Sequence, residues 1–186
     1  MRPPLVRLAA AVLVVGACTA VAAAQVTLEA FMATASVRKG TITASAPFSV
    51  TITRYGSTPE REAVMNAIRD GGTAALQGVL AKMDDAGFLQ IGERRTPIKF
   101  AAQRPTASGR LITVVTAEPV LFLGEGLPAS RPRHGFNVAV AMLYPGDSAF
   151  GELAPAAKVG LDSSGALLIE DYGETVVWLK GLAAAR

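Results

Sequence analysis

His134 is the single histidine in this chain of 186 residues, so a serine–histidine or cysteine–histidine device would have to be built on it. It stands in Arg131-Pro132-Arg133-His134-Gly135, between guanidinium groups and a glycine. That setting reads first as an exposed loop. No serine lies in a Gly-x-Ser-x-Gly elbow: Ser57 suits a helix cap, and Ser163 and Ser164 suit a hairpin turn. The only cysteine is Cys18. One histidine and one thiol cannot supply a histidine/cysteine metal site. Asp84-Asp85 lacks the alternating spacing of a calcium loop and reads as a helix end.

Paired carboxylates are the other route to acid–base chemistry, on a glycosidic bond for instance. Glu118, Glu125, Glu152 and Glu170-Asp171 are the candidates. Glu170 and Asp171 are successive in a strand-like segment, so they point to opposite faces and do not pair with each other. Trp178, the only tryptophan, falls at strand spacing and is expected in the core. Gly124-Glu125-Gly126 lacks the later glycine of a phosphate loop. Arg94-Arg95 reads as a solvated turn. The sequence therefore assigns no catalytic residue, no metal and no cofactor. Its candidate ligand or partner loop is the stretch 124–135, which gathers Glu125, Arg131, Arg133 and His134. Loops of that length without structure of their own are uncommon, and serve either function or a connection between layers.

The first 24 residues set the compartment. Arg2 and Arg7 precede an apolar run from Leu8 to Val15, and Ala22-Ala23-Ala24 offers a small-x-small cleavage site before Gln25. This is the pattern of an export signal, which predicts a periplasmic or secreted protein. Val15-Gly16-Ala17-Cys18 resembles a lipobox, which makes Cys18 the candidate lipidation site and gives the alternative of an envelope-anchored lipoprotein. Without Arg2 and Arg7, sixteen basic residues face fifteen acidic ones. That balance gives no electrostatic case for nucleic acid or for an anionic membrane surface. After residue 25 no apolar run reaches the roughly 20 residues of a membrane span. A membrane tether is expected only if Cys18 is lipidated.

The remainder, 25–186, is expected to form a single α+β domain. Phe48, Val50 and Ile52 alternate with Ser49, Thr51 and Thr53, as in a half-buried strand. Ser57-Thr58-Pro59-Glu60 is a helix start. Gly71-Gly72 is expected to stop that helix and Thr73 to cap a second, giving a helical hairpin over about 58–85. Strands then follow: a short one at 88–91, one alternating through Ile98, Phe100 and Ala102, one at 111–116, a short one at 119–123, and one at 136–144. In the last of these, Val138, Val140 and Met142 face one way and Ala139, Ala141 and Leu143 the other, which predicts a strand covered on both sides. A meander through 156–161, 167–172 and 176–179 closes the chain, with a frayed tail from about 181. The sum is predominantly antiparallel β, about eight to ten strands in a curled sheet or two-layer sandwich, with one inserted helical hairpin.

Thr51-Ile52-Thr53-Arg54-Tyr55 running into Thr58-Pro59-Glu60-Arg61, with Leu168-Ile169-Glu170-Asp171-Tyr172-Gly173 near the end, resembles a group of exported bacterial proteins of unassigned function. The resemblance implies export and one compact domain, and carries no catalytic residue. Three functions remain open. They are a non-catalytic exported binding or envelope-associated domain with a protein partner, a carrier of a small apolar ligand between sheet and helical hairpin, and a hydrolase using His134 or two carboxylates.

Overall fold

The computed structural model describes residues 27–107, 109–121, 132–146, 149–173 and 175–185. The signal segment, Cys18, Glu125 and Arg131 lie outside the described residues. Ten strands and one helix follow in the order β1 (Glu29–Lys39), β2 (Ile42–Ile52), α1 (Thr58–Leu80), β3 (Gly87–Ile91), β4 (Arg94–Ile98), β5 (Phe100–Thr106), β6 (Gly109–Val115), β7 (Val138–Tyr144), β8 (Phe150–Leu161), β9 (Leu167–Asp171) and β10 (Val177–Ala184). Every pairing is antiparallel, in the spatial order β4-β3-β2-β1-β10-β8-β7-β6-β5, with β9 added on β8.

The two ends of that order are neighbours in the chain. Only Lys99 separates β4 from β5, so one continuous run of chain contributes both rims of the sheet. Ile98 still serves the β3 side, where its carbonyl accepts from Ala86 N–H at 2.7 Å, whereas Lys99 N–H donates to Val115 on β6 at 2.9 Å. The sheet thus curls into a nearly closed barrel, the more specific form of the curled sheet expected.

Alternation sorts the side chains. Phe31, Phe48, Val50, Leu89, Ile98, Ile112, Ala141, Leu153 and Leu179 point into the barrel and form one buried cluster. Small inward residues, among them Ala35, Ala46, Ala101 and Ala139, fit a narrow interior filled by side chains. The outward side of β5–β8 is apolar as well. Phe100, Leu111, Val115, Val138, Val140 and Met142 form a second cluster with Val64, Ile68, Leu76 and Leu80 of the helix and Val159 and Leu167 of the β8–β9 hairpin. β7 is therefore buried on both faces, because its two alternating sets belong to different cores. On β2, by contrast, Thr43, Ser45 and Pro47 stay exposed.

Several local expectations are corrected. The helical hairpin is one helical element interrupted at Gly71 (φ −155°) and Gly72 (φ +61°). Glycine reaches the positive φ of Gly72 cheaply, and residues on both sides of the kink, Val64 and Ile68 before it and Leu76 and Leu80 after it, pack in the same cluster on the sheet. Thr73 does not cap. It is buried, and its Oγ1 accepts from Val159 N–H at 3.0 Å. Residues 119–121 form no strand; Val120 is held by its N–H on the Pro155 carbonyl at 2.8 Å. Arg94-Arg95 is in β4, with Arg95 stacked over the Phe88 ring at 3.2 Å. The tail is not frayed through Ala185. β10 continues past a bulge at Gly181 (φ +65°), Leu182 is buried, and Ala185 N–H donates to Ala30. Trp178 is outside the core, 51% exposed. No helix among the described residues is long and apolar enough to cross a membrane.

Candidate functional site: the barrel mouth and the helix-side cleft

Strand direction places the start of β1 and of β6, and the ends of β2 and β5, at one mouth of the barrel. Glu29 shares the inward alternation of Phe31, and Arg110 shares that of Ile112 and Val114. Charged groups at inward positions must find partners. Arg110 donates to both Glu29 oxygens, at 2.9 and 2.5 Å, and to Gln103 Oε1 at 2.9 Å. The Tyr55 hydroxyl, just past the end of β2, donates to Glu29 Oε1 at 2.8 Å. The guanidinium holds the Glu29 carboxyl below the usual carboxylate range, against its partial burial. Burial first, and the Glu29 carboxylate second, push the Tyr55 phenol well up, so it remains a neutral donor. Every partner here is satisfied within the cluster, which makes it a polar stopper for the barrel.

The cleft lies on the other side of β5 and β6. Ser57 caps the helix: its N–H donates to Glu60 Oε2 at 2.8 Å and its Oγ accepts from Glu60 N–H at 3.4 Å. Arg54 clamps the same carboxylate at 2.8 and 2.9 Å. Contacts from the Ser57 backbone, then from its hydroxyl and Arg54, hold the Glu60 carboxyl below its ordinary range. Gly56 seats this start against the sheet. Its N–H reaches the Ala101 carbonyl at 2.8 Å, and a Cβ there would stand 2.5 Å from the Phe100 ring. The first helical turns therefore run over the outward faces of β5 and β6.

Between them is a cleft of ≈ 210 Å³. Arg61 and Met65, four residues apart on one helical face, form one wall. Phe100, Ala102, Leu111 and Thr113 make the floor, and Ser164 to Leu167 of the β8–β9 turn form the far wall. That turn is rigid because Asp162 accepts from Ser164 N–H, Ser164 Oγ and Ala166 N–H at 2.8, 2.6 and 2.9 Å. The Ser164 hydroxyl above all, then Ala166 N–H, lowers the Asp162 pKa. Two guanidinium groups border the cleft. Arg61 donates to the Gly56 carbonyl at 3.4 Å. Arg104 is exposed; among the described residues it makes no hydrogen bond or ion pair, and its charge reaches the Asp162 carboxylate and the Tyr144 phenol. The cleft is apolar below and cationic at its edge.

No family model, curated protein or solved structure matches this chain.

The groups singled out in the sequence are elsewhere. His134 is exposed in the turn before β7, at the end of the barrel opposite the Glu29–Arg110 mouth. Arg133 lies over the Phe136 ring at 4.7 Å. The carboxylate candidates have three different surroundings. Glu152 accepts from Tyr172, Glu170 sits 4.0 Å from Lys158, and Asp171 accepts from Gly173 N–H at 2.8 Å. No group of three or more metal-ligating side chains exists among the described residues. The mouth and the cleft were both missed. Their signal was present in part, as Glu29 and Arg110 on inward alternations, but the register that joins them is long-range.

Proposed function

We propose that this protein is an exported binding domain whose helix-side cleft takes a small apolar ligand bearing an anionic end. The observation that supports this reading is the combination of an apolar floor (Phe100, Ala102, Leu111) with the guanidinium groups of Arg61 and the exposed Arg104 at the rim. Pockets that orient ligands are apolar with a few placed polar groups, and those for drug-sized ligands run to about 300–1,000 Å³. A cleft of ≈ 210 Å³ suits a smaller molecule, such as a short- or medium-chain carboxylic acid. Export rests on the signal pattern of residues 1–24 and on the resemblance to exported bacterial proteins. In this reading the chain acts by holding its ligand and not by transforming it.

The test is calorimetric titration of the mature protein with octanoate and with octanol. Saturable octanoate binding is expected, weakened by Arg104→Gln and blocked by Ala102→Leu, which fills the floor. Octanol should be insensitive to Arg104→Gln. Absence of saturable uptake of both would remove the proposal. Native intact mass from the cell envelope tests the export half. A chain starting at Gln25 fits free export, an acylated one starting at Cys18 fits a tethered form, and an uncleaved cytoplasmic chain contradicts export.

A further inference from the structure

A second surface is used by neither the cleft nor the mouth. Glu152 faces outward from β8, since its neighbour Leu153 points inward and a Cβ added at Gly151 would meet the inward Leu143 and Leu179. Trp178 stands directly across from it on β10, 51% exposed. Tyr172, just beyond β9, donates its hydroxyl to Glu152 Oε1 at 2.8 Å. Phe150, two residues before Glu152 on the same face and 46% exposed, stacks on Tyr144 of β7 with centroids 4.6 Å apart and planes 11° from parallel. Two aromatic side chains thus adjoin the carboxylate, and the stacked Phe150–Tyr144 pair lies one pleat further along the same face.

Among the described residues that carboxylate has no ion-paired cation. None of the ion pairs among the described residues includes Glu152, and its one hydrogen bond comes from a phenol. Lys180, two residues beyond Trp178 on the same strand, is not paired with it. Burial, and then Glu152 itself, raise the Tyr172 and Tyr144 phenols, so both rings stay neutral. At its centre the patch presents one negative charge beside the Trp178 and Tyr172 rings, with Lys180 and Arg104 at its margins. A small inorganic cation would keep its water and gain little from the rings. An alkylated ammonium is weakly hydrated, is attracted to ring faces by their quadrupole, and gains the carboxylate's charge as well.

We infer that the Trp178–Glu152 face binds an organic cation of the quaternary-ammonium class. Trp178 is the only tryptophan in the chain, so its fluorescence reports on this face alone. The probe is choline chloride, titrated against sodium chloride at matched ionic strength. The expected result is a saturable change in Trp178 emission with choline and none with sodium. Glu152→Gln keeps an acceptor for Tyr172 while removing the charge, and should weaken choline about tenfold with an unchanged thermal melt. Tyr172→Phe should weaken it less. Octanoate binding at the cleft should survive Glu152→Gln, so failure here is distinguishable from failure of the cleft. The inference is overturned by no saturable response to choline, or by undiminished choline affinity in folded Glu152→Gln. A saturable response to N-acetylglucosamine in place of choline also overturns it.

Discussion

The Glu29 carboxylate and the Arg110 guanidinium come from residues 81 apart in the chain, and meet in a two-point contact at 2.9 and 2.5 Å across one mouth of the barrel. One residue opens β1 and the other stands second in β6, strands that share no ladder. Their contact ties opposite walls together where the interior cluster ends. Arg110 is 39% exposed, so solvent screens part of the attraction. Glu29→Gln should cost about 1–2 kcal/mol at neutral pH, read as a lower denaturation midpoint.

The same contact has a pH signature. The folded Glu29 carboxyl titrates below its unfolded value, so the native state binds fewer protons than the unfolded chain. Its stabilisation is complete above an unfolded carboxylate value of about 4.3 and is lost as pH falls through the folded value. The melting temperatures of the protein and of Glu29→Gln should converge on acidification. A gap that stays constant from neutral pH to pH about 3 would contradict this assignment.

Thr73 provides a buried test of the broken helix. Its hydroxyl is the acceptor for Val159 N–H at 3.0 Å. Thr73→Val keeps the shape and orphans that N–H, which should cost about 1–3 kcal/mol. Thr73→Ser, which keeps the acceptor, should cost clearly less. Equal losses in the two variants would mean that packing, not the hydrogen bond, fixes the helix there.

Two glycines should respond with opposite sign to alanine. Gly87 has φ +144°, and a Cβ there would run into the Thr51 carbonyl oxygen, so Gly87→Ala should cost roughly 2 kcal/mol or more by strain. Gly78 is helical and exposed, and a methyl group added there would meet nothing within 4 Å. Gly78→Ala should add about 0.5–1 kcal/mol. Chemical denaturation of both variants measures each sign.

Trp178 should behave as a surface indole. Its emission should be red-shifted in the folded protein, and acrylamide should quench it nearly as well before unfolding as after. Blue-shifted, protected emission would place it in a core and would contradict both its position on β10 and the cation-binding face.

Legibility from sequence followed the range of the interactions. The alternation of Val138 to Leu143 announced a doubly covered strand, and Ser57 with Glu60 announced a capped helix, because both are written in adjacent residues. Gly71-Gly72 marked the break correctly, because the residues that let the backbone leave the helix stand at the break itself. Lys180, on the same alternation as Trp178, was the available sign that this face of β10 is wet. Gly181 hid the continuation of the strand by shifting the alternation before Leu182. The Glu29–Arg110 contact and the cleft depend on which strands become neighbours around the barrel, and nothing local encodes that.

The short link at Lys99 bears on how the protein behaves in crowded company. A sheet that bends nearly back on itself leaves two free rims, one along β4 and one along β5. Strand rims are templates onto which foreign chains add. One rim reads Arg94-Arg95-Thr96-Pro97 and the other Gln103-Arg104-Pro105. In each, arginine brings charge and its hydration, and proline withholds an N–H from any incoming ladder. The gap left by incomplete closure is guarded on both sides against amyloid-like extension.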